Sequence, residues 1–359
     1  MSTRILAATA LMCLAIASGC LGIGYTVTDV GGFTPSGINN SGVVVGSAFI
    51  ASNNGQPHAV TWDSTDGLRD LGTLAVGRRS DGVDINDIGQ VTGNSEVSTN
   101  QPHAFRWSAS NGMLDLGTLE GDATSMASAI DGNGNVYGIS TSAKRVNRVF
   151  KWAEGVGMAA LTFPAYTVVN PRLYANDAGQ IAGIHWLETV YHGFIWDAST
   201  GLVDLGTLGG RSSSVSGINN AGQVVGNSYT TPTGNAHAFV WDSLHGLQDI
   251  GAFSATAIND LGQVAGQISY YRDDGLRVTR ACVWSADSGL VELPMLGEGD
   301  TASCGINNSG QVVGYRNGPG VRRAFVWTPV PEPSTVLGLL AGLGGFWAKL
   351  SRRRHNKRS

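Results

Sequence analysis

A basic or imidazole side chain recurs seven times along the chain, in most cases at a fixed distance from an acidic residue. The positions are His58, His103, Arg148, His192, His237, Arg280 and Arg323. Twelve residues after each of the first six stand Asp70, Asp115, Ala160, Asp204, Asp249 and Glu292. A histidine beside a carboxylate is the pairing that acid–base catalysis, metal binding and structural cross-strand pairs all use. The elements that carry these residues decide among the three.

Those elements are repeats built from three phrases in a constant order. One repeat reads Gly217-Ile218-Asn219-Asn220-Ala221-Gly222-Gln223-Val224-Val225-Gly226, then His237-Ala238-Phe239-Val240-Trp241, then Gly246-Leu247-Gln248-Asp249-Ile250-Gly251. The Ile positions of successive repeats are 40 to 48 residues apart. This period is typical of four-stranded propeller blades.

The ends of the repeat array distinguish a ring from an open solenoid. The chain opens with a lone third phrase around Asp29, and no third phrase follows Trp327. An open solenoid needs capping units, whereas a ring needs its two ends to pair. We therefore predict an all-β fold for residues 25–328, a seven-bladed β-propeller in which the N-terminal strand supplies the outer strand of the last blade. Strand A ends at the Ile, strand B begins at Gln-Val-Val-Gly, and strands C and D are the second and third phrases.

This fold favours a structural role for the recurring histidines. An even spacing across the C–D hairpin places both side chains on one face, so we expect donor–carboxylate pairs in most blades, with Ala160 breaking the pair of blade three. Catalysis or metal binding would require the histidines to converge, and a ring holds them apart. The Asn-Asn-Ser-Gly turns suit hairpins and lack calcium-loop spacing. We expect no metal and no cofactor.

Comparison of the repeats indicates where a ligand would bind. The A–B and C–D intervals are constant, whereas those of the B–C and D–A loops vary from 9 to 14 and from 9 to 15 residues. Binding residues usually lie on variable loops of a rigid scaffold. Exposed aromatic and charged side chains at this end would suit sugars. The candidate binding residues are Trp186, Tyr229, Tyr270, Tyr271, Arg272, Tyr315 and Arg316.

The second phrase resembles the extracellular HAF repeats, which are named after their His-Ala-Phe motif. The motif itself occurs at His103-Ala104-Phe105 and His237-Ala238-Phe239, with looser versions in other repeats. The resemblance covers nearly the whole chain between its two terminal segments. It implies an extracellular location and no defined activity.

The N-terminal segment, residues 1–24, reads as a secretory signal peptide. Arg4 precedes an apolar run from Ile5 to Ala17, and small residues follow at two possible cleavage sites. Ala17-Ser18-Gly19-Cys20 also resembles a lipoprotein box, so lipidation of Cys20 is an alternative.

The C-terminal segment, residues 329–359, resembles the PEP-CTERM sorting signal of Gram-negative bacteria. Pro331-Glu332-Pro333-Ser334 precedes an apolar membrane segment, 336–348, and a basic tail. The resemblance implies that an exosortase, a membrane cysteine protease, recognises the segment and removes the tail. The protein would then be anchored in the inner membrane transiently, with its basic end in the cytoplasm. A permanent membrane anchor is the alternative.

Charge and cysteines agree with export. Of the 23 Lys and Arg residues, seven lie at Arg4 or after Ala348, and the 16 that remain face 27 Asp and Glu. Such an acidic body argues against nucleic acid as a partner. Two of the four cysteines lie in the signal region, which leaves Cys282 and Cys304, either as a disulfide or as two buried thiols.

Together these features predict an exported protein of the cell surface or extracellular matrix that acts as a non-enzymatic binding or structural module. Its partners would be the exosortase during sorting and extracellular polysaccharide or envelope components afterwards. The alternative is an enzyme that acts on an extracellular polysaccharide, a glycosidase or lyase, with its site on the variable loops. Such an enzyme should show paired carboxylates, or a Tyr-His-Arg cluster, near the central axis.

Overall fold

The computed structural model describes residues 24–50, 55–163, 172–317 and 322–330, and in these the chain forms seven four-stranded antiparallel sheets. Blade one contains β2 (Thr34–Ile38), β3 (Val44–Phe49), β4 (Pro57–Asp63) and β5 (Gly67–Asp70), with β1 (Gly24–Gly31) preceding it. Blade two contains β6 (Ser80–Ile85), β7 (Val91–Ser98), β8 (Gln101–Ser108) and β9 (Gly112–Asp115). Blade three contains β10 (Asp122–Ile130), β11 (Val136–Ser142), β12 (Asn147–Ala153) and β13 (Gly157–Ala160).

The later blades repeat this order of four strands. Blade four contains β14 (Tyr174–Ala175), β15 (Ile181–Leu187), β16 (Val190–Asp197) and β17 (Gly201–Gly206). Blade five contains β18 (Ser213–Ile218), β19 (Val224–Tyr229), β20 (Ala236–Asp242) and β21 (Gly246–Gly251). Blade six contains β22 (Ser254–Ile258), β23 (Val264–Tyr271), β24 (Arg277–Ser285) and β25 (Gly289–Glu292), and blade seven contains β26 (Asp300–Ile306), β27 (Val312–Asn317) and β28 (Arg323–Val330).

The predicted all-β seven-bladed propeller is confirmed, and so is its closure by the N-terminal strand. The last sheet has the order β1-β28-β27-β26, so β1 completes blade seven as its outer strand. Val27 pairs with Trp327 and Asp29 with Phe325 in antiparallel register. The predicted signal peptide up to residue 23 and the sorting segment from residue 331 onward lie outside the described residues.

The core consists of apolar layers between neighbouring blades. The Phe of strand C in one blade shares a hydrophobic cluster with the Ala of strand C in the preceding blade, as Phe105 does with Ala59 and Phe150 with Ala104. Within its own sheet the ring of Phe105 lies over Gly93, where a Cβ would come within 2.8 Å of the ring. A large ring therefore meets a small residue both across the blade interface, as expected, and inside the blade.

The A–B turns explain the recurring Asn-x-x-Gly sequence. Asn219 donates its backbone N–H to the carbonyl of Gln223, and Gly222 donates to the carbonyl of Asn219. Gly222 has φ of +77°, a conformation that glycine adopts at little cost. These hydrogen bonds form a tight hairpin at the inner end of each blade, next to the ring axis.

The topology gives the ring two different faces. Strands A and C of a blade end on the same side of the ring. The A–B and C–D turns therefore lie together on that side, which we call the turn face. The B–C and D–A connections lie together on the opposite side, the loop face. Among the described residues, no helix is long and apolar enough to cross a membrane.

We expect β1, which closes the ring and which we call the latch, to contribute measurably to stability. Val30 is 8% exposed and packs with Val60, Ala324 and Val326 at the junction of the first and last blades. Val30→Ala should lower the free energy of unfolding by about 2 kcal/mol, because it removes buried methyl groups at the closure. Thr28→Ala, on the exposed side of β1, should change it by less than about 0.5 kcal/mol. Thermal and urea unfolding of the two variants measure the difference. Equal stabilities would show that the packing of Val30 at the closure does not stabilise the fold.

Candidate functional site

Four of the recurring histidines form the expected pairs with carboxylates. The Nδ1 atoms of His58, His103, His192 and His237 lie 2.8 to 3.1 Å from the carboxylate oxygens of Asp70, Asp115, Asp204 and Asp249. Each carboxylate also accepts the backbone N–H of the glycine two residues later, as Asp249 does from Gly251 at 2.8 Å. The pair thus fixes the end of strand D against strand C.

The pairing register differs in detail from the expectation. Asp249 lies opposite Phe239, and the register shifts between Phe239 and Ala238, so His237 reaches the carboxylate diagonally. The side chains share a face, as their even spacing requires, but they are not direct cross-strand neighbours.

Three blades replace the histidine pair by other contacts. In blade three, where Ala160 stands at the acidic position, Arg148 binds Asp122 at 2.9 Å. The expected Arg280–Glu292 pair is wrong: Arg280 lies 3.9 Å from Asp300, while Glu292 accepts a hydrogen bond from Tyr270. In blade seven Arg323 binds Asp29 of the latch at 2.7 Å. Each pair belongs to its own blade or blade junction, and among the described residues no group of three or more His, Cys, Asp or Glu side chains could hold a metal ion.

Blade four contains a second histidine near its pair. His185 is only 2% exposed, and its Nε2 atom lies 3.8 Å from Asp204. Burial lowers the pKa of His185 because the imidazolium loses hydration there, and Asp204 opposes this effect. The ring also packs edge-on against Phe194, with ring centroids 5.8 Å apart. His185 therefore belongs to the packing of blade four.

The predicted binding residues all lie at the loop-face ends of B strands or directly after them, in four consecutive blades. Trp186 and Tyr229 are 39% and 40% exposed, and Tyr270 and Tyr271 are 38% and 73% exposed. We expected these residues in loops, but β15, β19 and β23 continue through them. In blade six the connection shrinks to a turn closed by the hydrogen bond from Arg272 N–H to the Leu276 carbonyl.

The charged members of the set are already engaged in local contacts. Arg272 forms an ion pair with Asp274 at 2.9 Å. Arg316 donates to the Leu296 carbonyl at 2.7 Å and lies over the ring of Phe325. Tyr315 lies under the guanidinium of Arg322, 4.6 Å from it. The exposed aromatic rings, above all Tyr271, therefore remain the more accessible part of the predicted set.

Around the axis of the turn face, the first Asn of each A–B turn bridges neighbouring blades. Its Nδ2 donates to the backbone carbonyl of the same position in the next blade, as Asn219 does to Asn259 at 3.0 Å. The same bond joins six of the seven interfaces, through Asn39, Asn86, Asn176, Asn219, Asn259 and Asn307. Its Oδ1 accepts two N–H groups of its own turn. The prediction that these residues only form turns is therefore incomplete.

The next position forms a second ring of hydrogen bonds, exposed to solvent. Its side-chain oxygen accepts the N–H of the equivalent residue in the preceding blade, as Asp260 does from Asn220 at 2.8 Å. The position holds Asn40, Asp87, Gly132, Asp177, Asn220, Asp260 and Asn308. Blade three interrupts each ring once, because Asp131 has no amide to donate and Gly132 has no side chain to accept. This rim encloses a polar opening of about 190 Å³.

An apolar collar separates this opening from a chamber deeper in the channel. The collar is the last residue of each A strand: Ile38, Ile85, Ile130, Ala175, Ile218, Ile258 and Ile306. The chamber beyond it has a volume of about 180 Å³. Since its lining residues precede the collar in the A strands, it lies on the side of the loop face. We call this space the axial chamber.

Three side chains in the axial chamber differ from the small residues around them. The position before the collar is Gly37, Ala129, Gly217, Ala257 and Gly305 in five blades, but Asp84 in blade two and Tyr174 in blade four. Arg172 lies with its guanidinium 5.7 Å from the centre of the Tyr174 ring. Burial raises the pKa of Asp84 to about 6, and hydrogen bonds from the Ile130 and Ile85 N–H groups partly oppose this.

Sequence reasoning missed these three residues, although a signal was available. It treated the residue before the collar as ordinary strand, whereas alignment of the seven repeats shows glycine or alanine in five of them. A Cβ at Gly217 or Gly305 would meet the A strand of the next blade. Cys304 also lines the chamber, and both Cys304 and Cys282 are free thiols. Burial raises the pKa of each to about 12, so both stay protonated at neutral pH. Of the two alternatives, the structure shows free thiols, with Cys282 buried and Cys304 partly buried.

We expect the bridging amides to be needed for ring stability. Asn219→Asp keeps the acceptors for its own turn but replaces the donor that reaches the Asn259 carbonyl by an oxygen. The free energy of unfolding should fall by about 2 kcal/mol, because a buried carbonyl loses its partner and faces a carboxylate. Asp87→Asn on the exposed rim, where other blades carry Asn, should cost less than about 0.5 kcal/mol. Urea unfolding compares the two, and a rim variant as damaging as Asn219→Asp would contradict this assignment.

No protein-family profile matches the sequence, and no curated protein matches it. Solved structures do resemble the fold. Two structures of puromycin hydrolase have TM-scores of 0.53 and 0.52 at 14% and 13% identity, over 80% and 81% of this chain and 50% and 51% of theirs. TolB from Acinetobacter baumannii has a TM-score of 0.47 at 10% identity, over 81% of both chains. The chain thus spans about half the length of puromycin hydrolase, and the likeness is one of fold alone.

Proposed function

We propose that this protein is an exported propeller of the cell surface or extracellular matrix, sorted by an exosortase, that binds an extracellular polysaccharide or envelope component without turning it over. The proposal combines the terminal segments of the sequence with the surface of the body. The observation that carries its binding part is the row of exposed aromatic rings at the loop-face ends of blades four to six.

The chemistry of this row suits a carbohydrate. Tyr229 and Tyr271 present rings to solvent on rigid strands, and Trp186 packs edge-on against Tyr191 with ring centroids 6.1 Å apart. Aromatic rings bury much surface at a small cost in side-chain entropy and stack on the apolar faces of sugars. Successive blades repeat this arrangement, so a chain of sugar units could contact several of them.

The contents of the channel favour binding over hydrolysis. Among the described residues that line the axial chamber, Asp84 is the one carboxylate. Asp87, Asp177 and Asp260 around the turn-face opening are engaged in the hydrogen bonds of the rim. Most glycoside hydrolases use a pair of carboxyl groups that flank the scissile bond. The alternative, an enzyme acting on a polysaccharide, therefore has less support in this channel than a binding module has on the loop face.

The binding part is tested with a glycan array and the protein body, residues 24–330, which contains the 28 strands of the described residues. Tyr271→Ala combined with Tyr229→Ala should weaken polysaccharide binding roughly tenfold or more, as the loss of central aromatic contacts does in other interfaces. Phe49→Ala is the matched control, since Phe49 is 73% exposed at the same end of strand B in blade one. Release of shorter sugars would instead support the alternative of a polysaccharide-degrading enzyme. Equal weakening by Phe49→Ala would show that binding does not depend specifically on the aromatic rings of blades five and six.

The sorting part makes a separate prediction in a bacterium that has an exosortase. The wild-type protein should lose its C-terminal tail near Pro331, which the mass of the mature protein reports. Replacing Pro331, Glu332 and Pro333 by alanine should retain the tail and keep the protein in the membrane fraction. Asn356→Ala, in the basic tail, should be processed like wild type. A wild-type protein that keeps its full C-terminus would favour the permanent anchor.

A further inference from the structure

The axial chamber has the size and the side chains of a small-molecule site. Its volume of about 180 Å³ corresponds to roughly six water molecules at ~30 Å³ each. Five blades carry glycine or alanine at the position before the collar, where neighbouring A strands approach closely, while blades two and four carry Asp84 and Tyr174, which line the chamber. Pockets for drug-sized ligands usually measure about 300–1,000 Å³ and combine an apolar lining with a few convergent polar groups, so this smaller chamber suits only a small ligand.

Arg172 is the basic side chain of this chamber, and its charge reaches three blades. It lowers the pKa of Asp84 in blade two, of Tyr174 in blade four and of Cys304 in blade seven, although burial raises each of them more strongly. Arg172 lines the chamber, and its guanidinium lies 5.7 Å from the centre of the Tyr174 ring. Arginine is well suited to bind a carboxylate through two parallel hydrogen bonds.

The remaining lining can accommodate hydroxyl groups. Ser36, Ser216 and Thr256 line the chamber at the same level of their A strands. The Ser36 and Thr256 hydroxyls donate to the Gly82 and Ala265 carbonyls, so their oxygens can still accept a hydrogen bond from a ligand. The hydroxyl of Tyr174 adds a donor in blade four. A ligand that carries several hydroxyl groups next to one anionic group would match this set.

We propose that the axial chamber binds a small hydroxylated carboxylate, no larger than one hexuronic acid, whose carboxylate is held by Arg172. The ligand enters from the loop face, and the collar limits how deep it goes. Ala175 leaves the collar wider at blade four, beside Tyr174. This site is separate from the aromatic row proposed above, so either can fail without the other.

Asp84 makes binding dependent on pH. The other titratable groups that line the chamber are Arg172, Tyr174 and Cys304, and burial keeps the last two protonated at neutral pH. Asp84, with its pKa raised to about 6, is charged at pH 7.5 and protonated at pH 5. Loss of a negative charge near a bound carboxylate should strengthen binding about fivefold.

Calorimetric titration of the full chain in mild detergent with D-glucuronate tests the proposal. Glucuronate should bind, D-glucose should not, and Arg172→Gln should weaken glucuronate binding at least tenfold. Arg211→Gln is the matched control, because Arg211 is exposed and also stands just before an A strand, that of blade five. Melting temperatures of both variants confirm that they are folded.

Three further measurements separate the possible sources of binding. A uronic acid trimer that binds as well as the monomer would show that the chamber accepts the end of a chain, whereas weaker binding would restrict it to the free acid. Inorganic phosphate that binds as tightly as glucuronate would overturn the requirement for hydroxyl groups. Equal affinity at pH 5 and pH 7.5 would show that the charge of Asp84 does not affect ligand binding. Binding of glucuronate that survives Arg172→Gln, or no binding at all, would overturn the proposal.

Discussion

The ring depends on an amide hydrogen bond that six of the seven blades make to the next. A single residue type, the first Asn of the A–B turn, closes its own hairpin with Oδ1 and holds the neighbouring blade with Nδ2. The bond from Asn307 to the Asn39 carbonyl joins residues 268 positions apart and closes the circle at the axis. Aspartate could form the hairpin but could not supply the donor. The bridge therefore explains why six of the seven repeats carry asparagine there.

Blade three shows what the ring tolerates. Asp131 accepts hydrogen bonds from Tyr137 and Asn135 within its own blade and makes no bridge to blade four. The rim bond from the backbone N–H of Gly132 to Asp177 still joins blades three and four. The same blade lacks the acidic residue of strand D and pairs Arg148 with Asp122 instead. One irregular blade can thus be held by its two regular neighbours, provided that its own buried polar groups form hydrogen bonds.

Periodicity made the fold predictable, because the sequence pattern of the same strands, turns and pairings recurs in each repeat. The offset of the third phrase predicted the latch, and the constant spacing of 12 predicted the histidine pairs. The same spacing also predicted a pair of Arg280 with Glu292, and its failure could not be foreseen, since Tyr270 on another strand competes for Glu292. The chamber residues were missed for a different reason. Asp84 and Tyr174 stand out only when the repeats are compared position by position. That this position borders the axial chamber becomes clear only from the structure, which places strand A next to the axis.

The latch also has a consequence for the order of events during synthesis. Thr26 and Thr328 are partners, yet 302 residues separate them, so the first strand to emerge is the last to find its place. Contacts this distant in sequence form slowly, and until they form, β28 presents an unpaired edge to other chains. Before β28 is made, the blades can form only an open arc, and the arc becomes a ring when β28 pairs with β1.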